Sequence, residues 1–166
     1  MPTTIERTLV LLKPDAVKRG IMGEVISRFE KVGLKIVAMK MKWADKNLAG
    51  DHYGEDITIR RGEKVRQFLI DFITTGPILA IVIEGVEAIE QVRMMAGPTE
   101  PKAAAPGTIR GDYSHVSYRH ADETGKAVEN IIHASSSKED AEKEIHIWFS
   151  EEELCDYKTV YEQHTF

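Results

Sequence analysis

Two stretches, Thr8–Leu12 (TLVLL) and Ile78–Ile83 (ILAIVI), are apolar at nearly every position and rich in branched side chains. Neither alternates with polar residues, and both are too short to cross a bilayer. They read as strands buried inside a core, and the rest of the chain must supply what covers them. Gly20–Val32 places Ile21, Val25, Phe29 and Val32 at helical spacing, and Gly33 stands where a C-terminal cap belongs. From Leu34 the pattern changes. Met39 and Met41 alternate with Lys40 and Lys42, as in a strand with one wet face.

Further helices are expected over Arg61–Ile73, closed by Gly76-Pro77, and over Val86–Ala96 with Val86, Ile89 and Val92 inward. Gly97–Arg119 shows no element, and a loop of that length is usually functional or disordered. Asp122–Val128 fits a short helix and Asn130–His133 a last short strand. Ser137 fits an N-cap, with Asp140 three residues on as a capping-box partner, for a helix running to about Phe149. This order predicts an α+β sandwich with helices packed on one mixed or antiparallel sheet.

The length, 166 residues, suits one domain spanning the chain, large enough to bury a core without staples. The net charge of -5 argues against nucleic acid or an acidic membrane as the main partner. The one cysteine, Cys155, excludes an internal disulfide framework and a cysteine-based zinc site. The first residues, MPTTIERTLVLLKPD, form neither a signal peptide nor a membrane span, because Lys13 and Pro14 break the apolar run at once. A cytoplasmic location is the simplest expectation.

The chemistry concentrates around NIIHASSS, residues 130–137. Taken alone, His133 fits a satisfied core histidine as well as a catalytic one. Glu144, on the following helix, sits on or beside the stripe of Ala141, Ile145 and Trp148. A carboxylate there either swings out to water or finds a partner, and an imidazole is a natural one. Arg93, Thr99 and the segment PGTIRGD around Arg110 offer two guanidinium groups and a hydroxyl suited to phosphate oxygens, although each alone fits a surface side chain. Lys13 projects at the end of a buried strand, where either a site or a snorkelling surface lysine fits. There is no P-loop, no G-x-G-x-x-G fingerprint and no H-E-x-x-H pair, so a phosphate site here must work with side chains.

The segments TLVLLKPDAVKRGIMGEVISRFE, DHYGE, GPILAIVIEG, RMMAGPTEP, PGTIRGD and NIIHASSS…AEKEIHIWF resemble, in order and along nearly the whole chain, those of the nucleoside diphosphate kinases. The resemblance implies a ferredoxin-like α/β sandwich with a four-stranded antiparallel sheet covered by helices. It implies a two-step exchange in which a nucleoside triphosphate phosphorylates a histidine, which then phosphorylates a different nucleoside diphosphate. By motif position His133 resembles the nucleophile, Glu144 its orienting carboxylate, and Tyr53 a neighbour of the imidazole. Arg93, Thr99 and Arg110 resemble the phosphate-holding groups. Lys13 and Asn130 resemble the groups that reach sugar hydroxyls and phosphates. Ser135 is expected to hydrogen-bond near the nucleophile or to Glu144. Mg²⁺ is expected on the nucleotide phosphates, held mostly by them and not by protein metal ligands.

The chain departs from that pattern in places. Ala134, Ser135 and Ser136 follow His133 where the family usually has glycine, serine and aspartate. Residues 54–67 are longer than usual and lack an Arg-Pro-aromatic signature, and Val65 falls near the base-stacking position. A second insertion spans residues 117–129, and such insertions with His-Ala-Ser resemble archaeal members. With no polar side chain expected in the base slot, the resemblance implies broad use of purine and pyrimidine nucleotides. It also implies a homo-hexamer, or else a tetramer, with Gly97–Arg119 near a threefold contact. The rivals are a histidine phosphocarrier, which Lys13 and Asn130 disfavour, and an inactive assembly module, which His133, Arg93, Arg110 and Glu144 disfavour.

Overall fold

The structure, a computed structural model, describes residues 4–165. The chain runs β1 (Ile5–Leu12), α1 (Pro14–Lys18), α2 (Met22–Lys31), β2 (Lys35–Trp43), α3 (Lys46–His52), α4 (Glu55–Arg61), α5 (Glu63–Ile73), β3 (Pro77–Val86) and α6 (Ala88–Ala96). It continues through a 3₁₀ turn (Pro101–Ala103), α7 (Ile109–Tyr113), α8 (Tyr118–Thr124), β4 (Ile132–Ala134), α9 (Lys138–Trp148), a second 3₁₀ turn (Glu151–Glu153) and α10 (Glu162–Thr165).

The four strands form one sheet in the order β2-β3-β1-β4, with every pairing antiparallel. This is the ferredoxin-like α/β sandwich. The two unbroken apolar stretches are its central pair: β1 runs beside β3 in a register that joins Leu9 to Val82 and Leu12 to Leu79. Because side chains alternate across a strand, each contributes to two cores. Val10, Leu12, Ile81 and Ile83 pack with Val25 and Phe29 of α2 and Val92 of α6. Leu9, Leu11, Ile78 and Val82 pack on the opposite face with Ile70 and Ile73 of α5 and Ile145 and Trp148 of α9.

Several expectations need correction. Val86 is not on an inward helical face: it is the last residue of β3 and is exposed. β2 does not keep one dry face to its end. It pairs only with β3, and Met39, Met41 and Trp43 are all exposed on this edge strand. The expected helix Arg61–Ile73 begins at Glu63, because Gly62 adopts φ 88° and separates α4 from α5. Gly97–Arg119 holds the first 3₁₀ turn, α7 and the start of α8. Thr108 and Ser117 cap α7 and α8, accepting from the Gly111 and His120 amides, and such local caps are easily lost in a Gly- and Pro-rich stretch. The helix expected over Asp122–Val128 is α8, four residues earlier. The last strand starts at Ile132, two residues later than expected. Ser137 does cap α9, accepting from the Asp140 amide at 3.1 Å.

Candidate active site

The ends of β1, α3, α6, α7 and β4 converge on one cleft of about 710 Å³. Nine of the side chains singled out from the sequence line it: Lys13, Tyr53, Val65, Arg93, Thr99, Arg110, Asn130, His133 and Glu144. His133 lies at the centre of β4, opposite Leu11 of β1. The turn before it is tight. Ile131 has φ 73°, and the Ile132 amide bonds back to the Asn130 carbonyl at 2.8 Å. This is a γ-turn of the rare, strained kind, on a β-branched residue. It persists because its surroundings over-determine it: the Ile131 amide donates to Asp15 Oδ2 at 2.9 Å, and its carbonyl accepts from the Lys13 amide at 2.8 Å.

Glu144 turns inward. Its Oε2 lies 2.9 Å from His133 Nε2 and accepts from Ser135 Oγ at 2.6 Å. Burial pushes the carboxyl up, but the hydrogen bond and charge of His133, with the Ser135 hydrogen bond, outweigh burial and hold it below the ordinary carboxylate range. An ionised carboxylate only accepts. The His133 proton therefore belongs on Nε2, and Nδ1 keeps its lone pair. The side chains of His133 and Glu144 are 22% and 13% exposed, so the imidazole is neither sealed in the core nor loose in water.

A cationic floor surrounds this pair. The Arg110 guanidinium is buried and donates to three carbonyls: Gly97 at 2.7 Å, Ile132 at 2.6 Å and Asn130 at 3.3 Å. Burial, and after it the charge of Arg93, lowers its pKa to about 10. Lys13 Nζ donates to Asn130 Oδ1 at 2.7 Å, and Asn130 Nδ2 donates to the Thr99 carbonyl at 2.7 Å. Burial first, then Arg110, lowers the Lys13 pKa to about 8. Arg93 and Thr99 reach the cleft from exposed positions. The Tyr53 hydroxyl is buried with no partner, and burial pushes its pKa far up, so it stays protonated.

The sequence reading missed other cleft residues. Phe68 and Leu69 line the same wall as Val65, and Arg61 of α4 meets Tyr118 of α8 across the cleft, Nη2 to hydroxyl at 3.4 Å. Helical spacing from Val65 would have found Leu69. The Arg61–Tyr118 contact joins two segments 57 residues apart and left no local signal. Where aspartate was expected after His133, the Ser136 hydroxyl bonds Asp140, and both line the cleft, so a negative charge returns four residues later.

His52, His133 and Glu144 bring three potential metal-ligating atoms within 4.8 Å of one another. The protons argue against a metal there. Trp148 Nε1 donates to His52 Nδ1 at 3.3 Å, and an indole N–H can only donate. The lone pair on His52 Nδ1 is thus committed, and the proton of the neutral ring occupies Nε2. No lone pair of His52 is left for a cation.

A half-buried carboxylate that orients an imidazole, facing clustered cations in an open cleft, defines a phosphotransferase built on a ferredoxin-like sandwich. Comparison with known proteins carries the assignment further. Residues 6–154 match the family described as nucleoside diphosphate kinase. The chain is 50% identical over 155 residues to a nucleoside diphosphate kinase of Borreliella burgdorferi, covering 93% of each chain. It is 54% identical over 153 residues to that of Pyrococcus furiosus, covering 92% of this chain and 88% of the relative. Among solved structures, a transition state mimic of nucleoside-diphosphate kinase from Borrelia burgdorferi with bound vanadate and ADP superposes with a TM-score of 0.96 at 48% identity, covering 98% and 97% of the two chains. A halophilic nucleoside diphosphate kinase from Halobacterium salinarum in complex with CDP gives 0.81 at 38% identity, covering 95% and 96%. This chain belongs to the nucleoside diphosphate kinase family, transferases that move phosphate between nucleotides.

Proposed function

We propose that the chain moves the γ-phosphate of a nucleoside triphosphate to a nucleoside diphosphate by a ping-pong mechanism, through a phosphohistidine on His133. The observation that carries this reading is the bond from His133 Nε2 to Glu144, which leaves Nδ1 as the nucleophile. In the first step Nδ1 attacks the γ-phosphorus and the bond to the β–γ bridging oxygen breaks. The nucleoside diphosphate leaves with that electron pair. The imidazole gains charge as the N–P bond forms, and the Glu144 carboxylate stabilises it through Nε2–H. The second step reverses the first on a different diphosphate. Splitting the transfer in two lets one site serve both nucleotides in turn.

The shared cleft supports the remaining roles. Arg93, Thr99 and Arg110 hold the phosphate oxygens, whose spread negative charge is what phosphoryl transfer asks a protein to neutralise. Lys13 and Asn130, already bonded to each other, reach the sugar hydroxyls and phosphates, and Tyr53 stands beside the imidazole. Mg²⁺ is held by the nucleotide. Three of the four carboxylates that line the cleft among the described residues are engaged, Glu144 by His133 and Ser135, Asp56 by Arg60 and Asp140 by Ser136, so they make no dense cage for it. Magnesium bound this way would offset phosphate charge and would need few ligands from the protein.

Val65, beside Phe68 and Leu69, presents an apolar wall to the base. Apolar contact does not read a Watson–Crick edge, which supports broad base specificity. Residues 54–67 and 117–129 are insertions in a single nucleoside diphosphate kinase domain spanning residues 1–166, in a homo-hexamer located in the cytoplasm. No helix among the described residues is long and apolar enough to cross a membrane.

Intact mass after brief incubation with Mg-ATP tests the core of the reading. One phosphoryl group, acid-labile and base-stable, is expected on the protein and none on His133→Ala. Label that persists on the variant would remove His133 from the role.

A further inference from the structure

Beside the proposed nucleophile lies a second imidazole that the roles above leave unused. His52 ends α3, is 7% exposed and lines the cleft. Its ring stands edge-on to that of His133, with centroids 4.5 Å apart and planes at 86°. The bond from Trp148 fixes its tautomer, as argued above, and Trp148 also packs edge-on against it at 5.8 Å. Burial, followed by the charge of His133, lowers the His52 pKa to about 3, so the ring is neutral near pH 7. Its Nε2–H is buried with no partner. Native interiors rarely keep such a group without a use for its placement.

We infer that His52 is a positioning residue: its ring, held in one orientation by Trp148, is the wall that stops the His133 imidazole from swinging about its bond to Glu144. The inference rests on His133 being the phosphorylated residue. The Cβ–Cγ bond and the hydrogen bond at Nε2 fix two points of the ring and leave it free to rock about the line between them, which moves Nδ1. A perpendicular ring at 4.5 Å removes that freedom and keeps Nδ1 aimed into the cleft. Transfer is sensitive to this, since a misplacement of about 1 Å can slow a reaction by about 10²-fold. Neutrality matters equally. A cation at residue 52 would compete with His133 for the Glu144 carboxylate.

Two substitutions separate this role from simple support of the fold. His52→Asn keeps an acceptor for Trp148 but removes the outer part of the ring. His52→Phe keeps a ring but removes the acceptor. Single-turnover phosphorylation by Mg-ATP should slow by roughly 10- to 100-fold in His52→Asn, with ADP affinity within about twofold of wild type. In His52→Phe it should stay within a few-fold of wild type. A purely structural role predicts the opposite ranking. Wild-type rate in His52→Asn, or equal losses in both variants, would overturn the inference. Nitrogen NMR of the unmodified protein adds a test that needs no variant. The His52 ring should remain the Nε2–H tautomer down to about pH 4, and a ring that titrates near pH 6.5 or protonates Nδ1 refutes the assignment. If wild type takes up no phosphoryl group, or His133→Ala still does, the proposed nucleophile has failed, a result distinct from an unaffected His52→Asn.

Discussion

Ser135 Oγ donates at 2.6 Å to Oε2 of Glu144, the same oxygen that holds the His133 ring. The serine is fully buried and its hydroxyl also accepts from the Leu9 amide at 3.2 Å, so the carboxylate is tied to β1 as well as to β4. Glu144→Gln keeps the shape but removes the charge that stabilises the developing imidazolium. Phosphorylation by Mg-ATP should slow by about 10²-fold or more. Thermal stability at neutral pH should fall by only about 1 kcal/mol, because glutamine still accepts from His133 and Ser135 but without the charge. Ser135→Ala should do the reverse: it should cost about 1–3 kcal/mol of stability by leaving buried groups unpaired, with a smaller loss of rate. Quench-flow labelling and thermal melts on the two variants check the crossed pattern.

The carboxylate also predicts a response to acid. Its folded pKa lies below the ordinary value, so the unfolded chain binds the proton more readily in that range and stability rises with pH there. The contribution is fully present above the unfolded value of about 4.3. It is lost as pH falls through the lower folded pKa. Wild type and Glu144→Gln should therefore converge in stability at low pH, with the difference between them largest above about pH 5. Denaturant melts across pH 2–7 read this directly, and a difference that does not vary with pH removes the assignment of charge to Glu144.

Much of this was legible in the sequence, for identifiable reasons. β1 and β3 announce themselves because a strand buried on both faces cannot hide its composition, and α9 because Ser137 caps it and Ala141, Ile145 and Trp148 repeat at helical spacing. The candidate residues that meet in the cleft stood out because their side-chain types cluster in recognisable segments. Less legible was what depends on three-dimensional context. Exposure of Met39 and Met41 follows from β2 being an edge strand, a fact of sheet order that alternation does not encode. His52 passed unnoticed beside Tyr53 because its partners, His133 and Trp148, are 81 and 96 residues away and meet it only through the fold. The γ-turn at Ile131 left no trace either, since isoleucine is the wrong residue for a positive φ and tertiary bonds alone enforce it.

Arg93 and Arg110 should part company when substituted. Arg110 binds three carbonyls from two separate segments and is buried, and lysine lacks the planar fork to replace it. Arg110→Lys should cost about 2 kcal/mol of stability and weaken nucleotide binding. Arg93 is exposed, so Arg93→Ala should weaken nucleotide binding or transfer while changing stability by less than about 0.5 kcal/mol. Thermal melts paired with ADP titrations distinguish the two, and equal stability losses would contradict the division of labour.

Lys13 lines the cleft at a cost to stability. Burial lowers its pKa from 10.5 to about 8, so between those values the unfolded chain binds a proton that the folded chain does not, and stability rises with pH through that window. Below about pH 8 the folded protein carries the full penalty of a buried cation. Lys13→Met should therefore raise the melting temperature at pH 7 while reducing transfer, and its advantage should shrink as pH climbs toward 10.5. A variant destabilised at neutral pH would show that the bond to Asn130 outweighs desolvation.

Val65 makes the proposed base contact testable by gain. It is half-buried on the cleft wall next to Phe68 and Leu69, where a flat ring could lie against a purine or a pyrimidine. Stacking on an aromatic ring is worth about 1–3 kcal/mol per base and depends little on which base is stacked. Val65→Phe should lower KM for ADP, GDP, CDP and UDP together, by roughly fivefold or more. For wild type the four values of kcat/KM should be comparable, and a spread of about several hundredfold would mean that a polar group reads the base edge after all. If Val65→Phe leaves every KM unchanged, the base lies elsewhere, and the next surface to probe is the opposite wall of the cleft, where Ala127 and Val128 face the same space.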